Sequence, residues 1–101
     1  MSTVKIGTDE RPLENATPQW INQQINNRRN DGESVCVIVR LRDPYPELNL
    51  ATPTCGGGGA GQTKQYSDRE SAILALWREG VGQTEFTGGD LVSFLARLKT
   101  V

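Results

Sequence analysis

The chain has 101 residues and a formal net charge of −1, from 11 basic and 12 acidic side chains, with two cysteines and no histidine. This length sets one domain with a modest core, and the near-neutral charge excludes any general attraction to nucleic acid or to an anionic membrane. Without histidine, the commonest general base and metal ligand is missing, and no Ser–His or Cys–His pair can form within these residues.

Hydrophobic residues make up 36% of the chain, below the ~45–50% of an average domain. A thin core is therefore expected, one that a second copy of the chain would help to complete. Cys36 and Cys55 are too few for a disulfide scaffold or a zinc site made of cysteine alone. The start of the sequence lacks a basic and apolar leader, and no apolar run reaches the ~18 residues of a membrane span. The expectation is a cytoplasmic, reducing setting, no membrane contact and no cofactor.

Residues 1–16 read as a flexible N-terminal segment. The alternation of Val4 and Ile6 offers an edge strand as the other reading. Thr17 is a good N-cap with Pro18 in the first helical position, and Ile21 and Ile25 then share a face beside Trp20. This predicts a helix over about 17–30, ended by Gly32 in a left-handed conformation.

The stretch SVCVIVRL over 34–41 is the longest apolar run and is rich in β-branched residues. It predicts the central strand, over about 34–42. Val35, Val37 and Val39 point one way, and Cys36, Ile38 and Arg40 the other. With both faces apolar through Val39, the strand is expected to be covered on both, by helices or by a second protomer. Asp43-Pro44-Tyr45-Pro46 forms a turn, because the prolines fix φ and withhold donors. A hairpin with a shorter, more polar arm over about 47–52 follows, and Pro53 ends it.

The glycine-rich loop over 55–62 cannot pack a core and is costly to order. Weak alternation over 62–66 leaves room for a further strand. Ser67 and Glu70 then fit a capping box, and Ile73, Leu76 and Trp77 form an apolar stripe, giving a helix over about 67–79 closed by Gly80. Thr87 as N-cap, Asp90 at N3 and a Phe86–Leu91 staple start the last helix, over about 87–99, with Leu91, Leu95 and Leu98 on one face. The fold class is α+β: a small antiparallel sheet packed by three helices, with residues 17–101 as a single domain.

Few residues point to chemistry. Gly56, Gly58 and Gly61 fit G-x-G-x-x-G, and Gly56, Gly61 and Thr63 match parts of a phosphate loop. Its lysine position, however, holds Gln62, and Lys64 stands two places late. No buried strand precedes the loop, and the next helix cap comes only at Ser67. A flexible connector is the plain reading. Cys55 before the glycines would carry a reactive thiolate only with an activating base or an arginine six residues on, and that position is Gly61. Cys36 reads as a core residue. A Cys36–Cys55 bridge is geometrically open, but the expected compartment argues against it. No carboxylate pair has a spacing that forces acid–base chemistry. The last two helices resemble a helix-turn-helix in outline only, with a long connector and little positive charge on the reading helix.

Arg28, Arg29, Arg40 and Arg42 form the densest basic set. Together they would suit an acidic partner surface if the first helix packs beside the strand, although a solvated face is the plain reading. Tyr45 between two prolines reads as an exposed aromatic anchor at a hairpin tip. The sequence thus predicts a small non-enzymatic interaction or regulatory module that binds another protein through Arg40, Arg42 and Tyr45, with Arg28 and Arg29 nearby. Two alternatives remain: a small-ligand or phosphate binder using Cys55, Gly56, Gly58, Gly61, Thr63 and Lys64, and a nucleic-acid binder using the arginine set or the last two helices.

Overall fold

Period-3.6 patterning builds three helices, and four short strands join in three antiparallel pairings. The computed structural model describes residues 2–42, 45–46, 48–55, 65–83 and 86–101. In chain order the elements are β1 (Thr3–Ile6), β2 (Asp9–Pro12), a 3-10 turn (Leu13–Asn15), α1 (Pro18–Asn30), β3 (Val37–Arg40), β4 (Asn49–Ala51), a second 3-10 turn (Pro53–Cys55), α2 (Asp68–Gly80) and α3 (Gly88–Leu98). The strands form one antiparallel sheet in the order β2-β1-β3-β4.

The N-terminal segment differs from its expectation. β1 is paired on both sides, so it is an interior strand and neither an edge strand nor a tail. A two-residue turn joins it to β2, with Gly7 at φ 63° in the first central position, as a type II′ hairpin turn requires. A Cβ on Gly7 would lie 2.1 Å from the Arg28 guanidinium carbon, so any side chain there would also have to displace the end of Arg28. β2 reads Asp-Glu-Arg-Pro and is mostly exposed. Charged residues and a proline suit an edge that must not recruit another strand.

Paired residues face the same side of a sheet, so the register separates its two faces. Val4, Ile6, Val37, Val39 and Leu50 lie on one face and are fully buried. They share a single cluster with Trp20, Ile21 and Ile25 of α1, Ile73, Leu74 and Trp77 of α2, and Leu91, Phe94 and Leu95 of α3. Burying each large aliphatic side chain contributes about 1.5–3 kcal/mol, so this face holds most of the stability. Trp77 and Phe94 meet edge to face with ring centroids 5.2 Å apart, fixing α2 on α3.

The opposite face carries Thr3, Lys5, Glu10, Ile38, Arg40, Asn49 and Ala51. Among the described residues no helix covers it, contrary to the expectation of two covered faces. The apolar character of 34–41 on this side comes from Ile38, which is half-buried among polar neighbours, and from Cys36. Cys36 is no core residue: it is bridged to Cys55 across a Cα–Cα distance of 4.9 Å. The bridge pins the turn after β4 beside the start of β3, and Thr52 completes the junction. Its buried hydroxyl accepts the Val37 N–H at 3.1 Å and donates to the Val35 carbonyl at 3.3 Å.

The helix ends follow local chemistry. Thr17 accepts the Trp20 N–H at 3.2 Å. The chain leaves α1 through a Schellman arrangement, with Gly32 N–H on the Arg29 carbonyl, Glu33 N–H on the Arg28 carbonyl, and Gly32 at φ 75°. Thr87 and Asp90 form a complete capping box. At α2 the box is half-made: Ser67 accepts the Glu70 N–H, and the Glu70 carboxylate takes the Ser67 hydroxyl in place of a backbone N–H. Gly80 does not close α2 but is its last helical residue. Val81 is its cap, and it is pulled into the core with no exposure. Gln65 and Tyr66 are not in a strand, and residues 62–64 lie outside the described residues.

Candidate functional site

The basic residues singled out from sequence are not gathered into one patch. Arg28 lies at the β1–β2 turn, 3.5 Å from Asp9 and 3.5 Å from Glu33, with its side chain only 19% exposed. Arg29 donates to the Phe86 carbonyl, and its guanidinium carbon lies 5.6 Å from the Phe86 ring centroid, so it fastens the entry to α3. Arg40 is on the open sheet face, 3.0 Å from Glu10, which also accepts the Thr3 hydroxyl at 2.9 Å. The cause is register: Arg40 pairs with Thr3 at one end of β1, while Arg28 sits at the other end beyond Ile6. Three of the four arginines are thus engaged within the chain.

Arg42 and Tyr45 have different surroundings. Past β3, the Leu41 N–H donates to the Leu48 carbonyl, and the Leu48 N–H donates to the Tyr45 carbonyl. The Tyr45 N–H donates to the Arg42 carbonyl at 3.0 Å. These bonds close the hairpin tightly and turn the Tyr45 ring back onto the core. Tyr45 is therefore half-buried rather than an exposed tip. Its hydroxyl is shut off from solvent and has no hydrogen-bond partner among the described residues. A buried unmatched hydroxyl costs about 1–3 kcal/mol and calls for an explanation.

The described surroundings give it no acceptor. Tyr45 lines a half-open hollow of about 230 Å³ at one end of the sheet–helix sandwich. Leu13, Leu41, Leu98 and Val101 supply its apolar walls, and Ser2, Arg42, Arg69 and Lys99 complete the lining. Arg69 is held in place by donating to the Val101 carbonyl at 2.7 Å, and the Arg42 N–H lies 3.4 Å from the Ser2 hydroxyl. No carboxylate side chain belongs to the described lining, and none among the described residues pairs with Arg42, Arg69 or Lys99. A second hollow of about 180 Å³ adjoins it, between the Leu13–Pro18 segment and α3, floored by Ile21, Val92 and Leu95. Leu13 and Lys99 line both, so the two form one groove.

Sequence reasoning found Arg42 and Tyr45 but missed Arg69, Lys99 and Leu13. Arg69 reads as a member of the α2 cap and Lys99 as a complement to the α3 dipole. Only the convergence of the N-terminal segment, the end of β3, the start of α2 and the end of α3 brings them together. No local pattern announces that meeting.

Of the alternative loop, Cys55 is bridged to Cys36 and carries no free thiol. Gly56, Gly58, Gly61, Thr63 and Lys64 lie outside the described residues. Among the described residues, no group of three or more His, Cys, Asp or Glu is placed to hold a metal ion, and no helix is long and apolar enough to cross a membrane. No protein family matches the chain, and neither a curated protein nor a solved structure matches it.

Proposed function

We propose that this chain is a non-enzymatic module that works by binding another protein, and that the groove around Tyr45 is its contact surface. The observation that carries the reading is an apolar floor of Leu13, Leu41, Leu98 and Val101 rimmed by Arg42, Arg69 and Lys99. A partner that seats in the groove would cover the leucines and face the three cations. Arg28, Arg29 and Arg40 are spent on Asp9, Glu33, Glu10 and the Phe86 carbonyl, which weighs against a phosphate-binding arginine face.

The setting follows from the cysteines. A mesophilic cytosol keeps such thiols reduced, whereas secreted and surface-exposed proteins keep bridges like Cys36–Cys55. We therefore read an oxidising environment in place of the cytoplasm expected from composition. Thiol counting on protein captured directly into an alkylating agent decides the matter: no free thiol agrees with this reading, and two free thiols return the chain to a reducing compartment.

The function is tested by affinity capture with the wild type and two variants, Tyr45→Ala and Lys99→Glu, each first checked for a native near-ultraviolet dichroism spectrum. A partner held by the wild type and lost from both variants supports the reading. A partner kept by both, but lost when Lys5 and Ile38 on the open sheet face are replaced, removes the groove from the account.

A further inference from the structure

The geometry points to an acidic peptide segment with two apolar anchor side chains as the groove's occupant. This inference rests on the protein-binding reading and names the partner's chemistry. Two features of the groove carry it: the size of its hollows and its charge.

Small-molecule sites are usually single, largely enclosed cavities of about 300–1,000 Å³. Here the space is divided into hollows of about 180 and 230 Å³, both half-open, with Leu13 and Lys99 at their junction. Two adjoining apolar hollows of that size each suit one aliphatic or aromatic side chain. A peptide can place two such side chains on one face at helical or strand spacing. The hollow floored by Ile21, Val92 and Leu95 has Lys99 as its one charged lining residue among those described and takes the first anchor. The Tyr45 hollow takes the second.

Charge selects the rest of the segment. Lys99 stands where the hollows join, and Arg42 and Arg69 stand on the rim of the Tyr45 hollow. No carboxylate side chain belongs to the described lining of either. Acidic residues flanking the second anchor would meet these cations. A basic segment would face like charge at every rim position. Nucleic acid would use the cations but leave the apolar hollows empty.

The test is selection from a random-peptide phage library on the immobilised, oxidised wild-type chain. Clones are then ranked by binding to wild type, to Tyr45→Ala, and to the Arg69→Glu, Lys99→Glu double variant. The expected result is enrichment of acidic sequences carrying two apolar residues. Their binding should fall at least about tenfold on the charge-reversed variant, about 1.4 kcal/mol, and should weaken with added salt. Enriched sequences without acidic residues that lose binding to Tyr45→Ala, yet ignore the charge reversal, overturn the inference and leave the protein-binding reading in place. If no enriched sequence responds to either variant, both fall. Binding of a fluorescein-labelled oligonucleotide, lost on charge reversal, also overturns the peptide assignment.

Discussion

Replacing Cys36 and Cys55 by serine should lower stability by an amount set mainly by the unfolded chain. The bridge closes a loop with a sequence separation of 19. The chain-entropy relation assigns such a loop about 3 kcal/mol at 25 °C. With an unfolding entropy of about 2.1 cal/mol/K per residue, a chain of this length would lose about 14 °C of melting temperature. Thermal melts should be recorded for the wild type with and without a thiol reductant, and for the double serine variant under both conditions. The reduced wild type and the variant should melt together, well below the oxidised wild type, and the variant should ignore the reductant. An oxidised and a reduced wild type melting within about 3 °C of each other would refute the reasoning, since even a 1 kcal/mol effect exceeds that shift. In that case either the bridge does not form, or its loss is balanced by relief elsewhere in the β3–β4 junction.

The remaining predictions address single contacts. Gly7→Ala forces a side chain into φ 63° and onto the Arg28 guanidinium, so it should cost about 1–2 kcal/mol; adding Arg28→Ala should restore part of that loss in a denaturant double-mutant cycle, and strict additivity would deny the contact. Thr52→Val leaves the Val37 N–H without its hydroxyl acceptor and should cost about 1–3 kcal/mol, whereas Thr52→Ser should cost less in the same titration; equal losses would show that shape, not the hydroxyl, matters there. Tyr45→Phe removes a buried hydroxyl without a described partner, so it should leave stability unchanged or raise it by about 1 kcal/mol. A stability loss of that size would mean that the hydroxyl is already satisfied in the free protein.

The helices were legible because their termini are written locally. Thr17-Pro18, Gly32, Ser67 and the Thr87–Asp90 box each act on backbone groups within a few residues, and all four features sit where the pattern puts them. Alternation over 34–41 put Val37 and Val39 on one face, which is buried, whereas the opposite face, also expected to be covered, is only half-buried. The β1–β2 hairpin was hidden because β2 has no apolar residue to alternate, and its pairing rests on a glycine turn and a charged edge. The Cys36–Cys55 bridge was discounted on compartment alone, although hairpin pairing through Leu50 and Ala51 carries Cys55 to the start of β3. The arginine set failed to converge because β-sheet register spreads Arg28 and Arg40 to opposite ends of β1. Tyr45 was read as exposed because its neighbours are prolines. Its half-burial comes from packing against the core cluster, beside a hollow also lined by residues 2, 13, 98 and 101, which are remote in sequence.

The contact surface is tested most directly by mapping amide chemical-shift changes in the isotope-labelled, oxidised chain as a selected peptide is added. The account predicts that the perturbed amides cluster at Leu13, Arg42, Tyr45, Arg69, Val92 and Lys99, and that Lys5, Ile38 and Ala51 on the open sheet face stay unmoved. Perturbations centred on Lys5, Ile38 and Ala51, with Tyr45 and Lys99 silent, would contradict it.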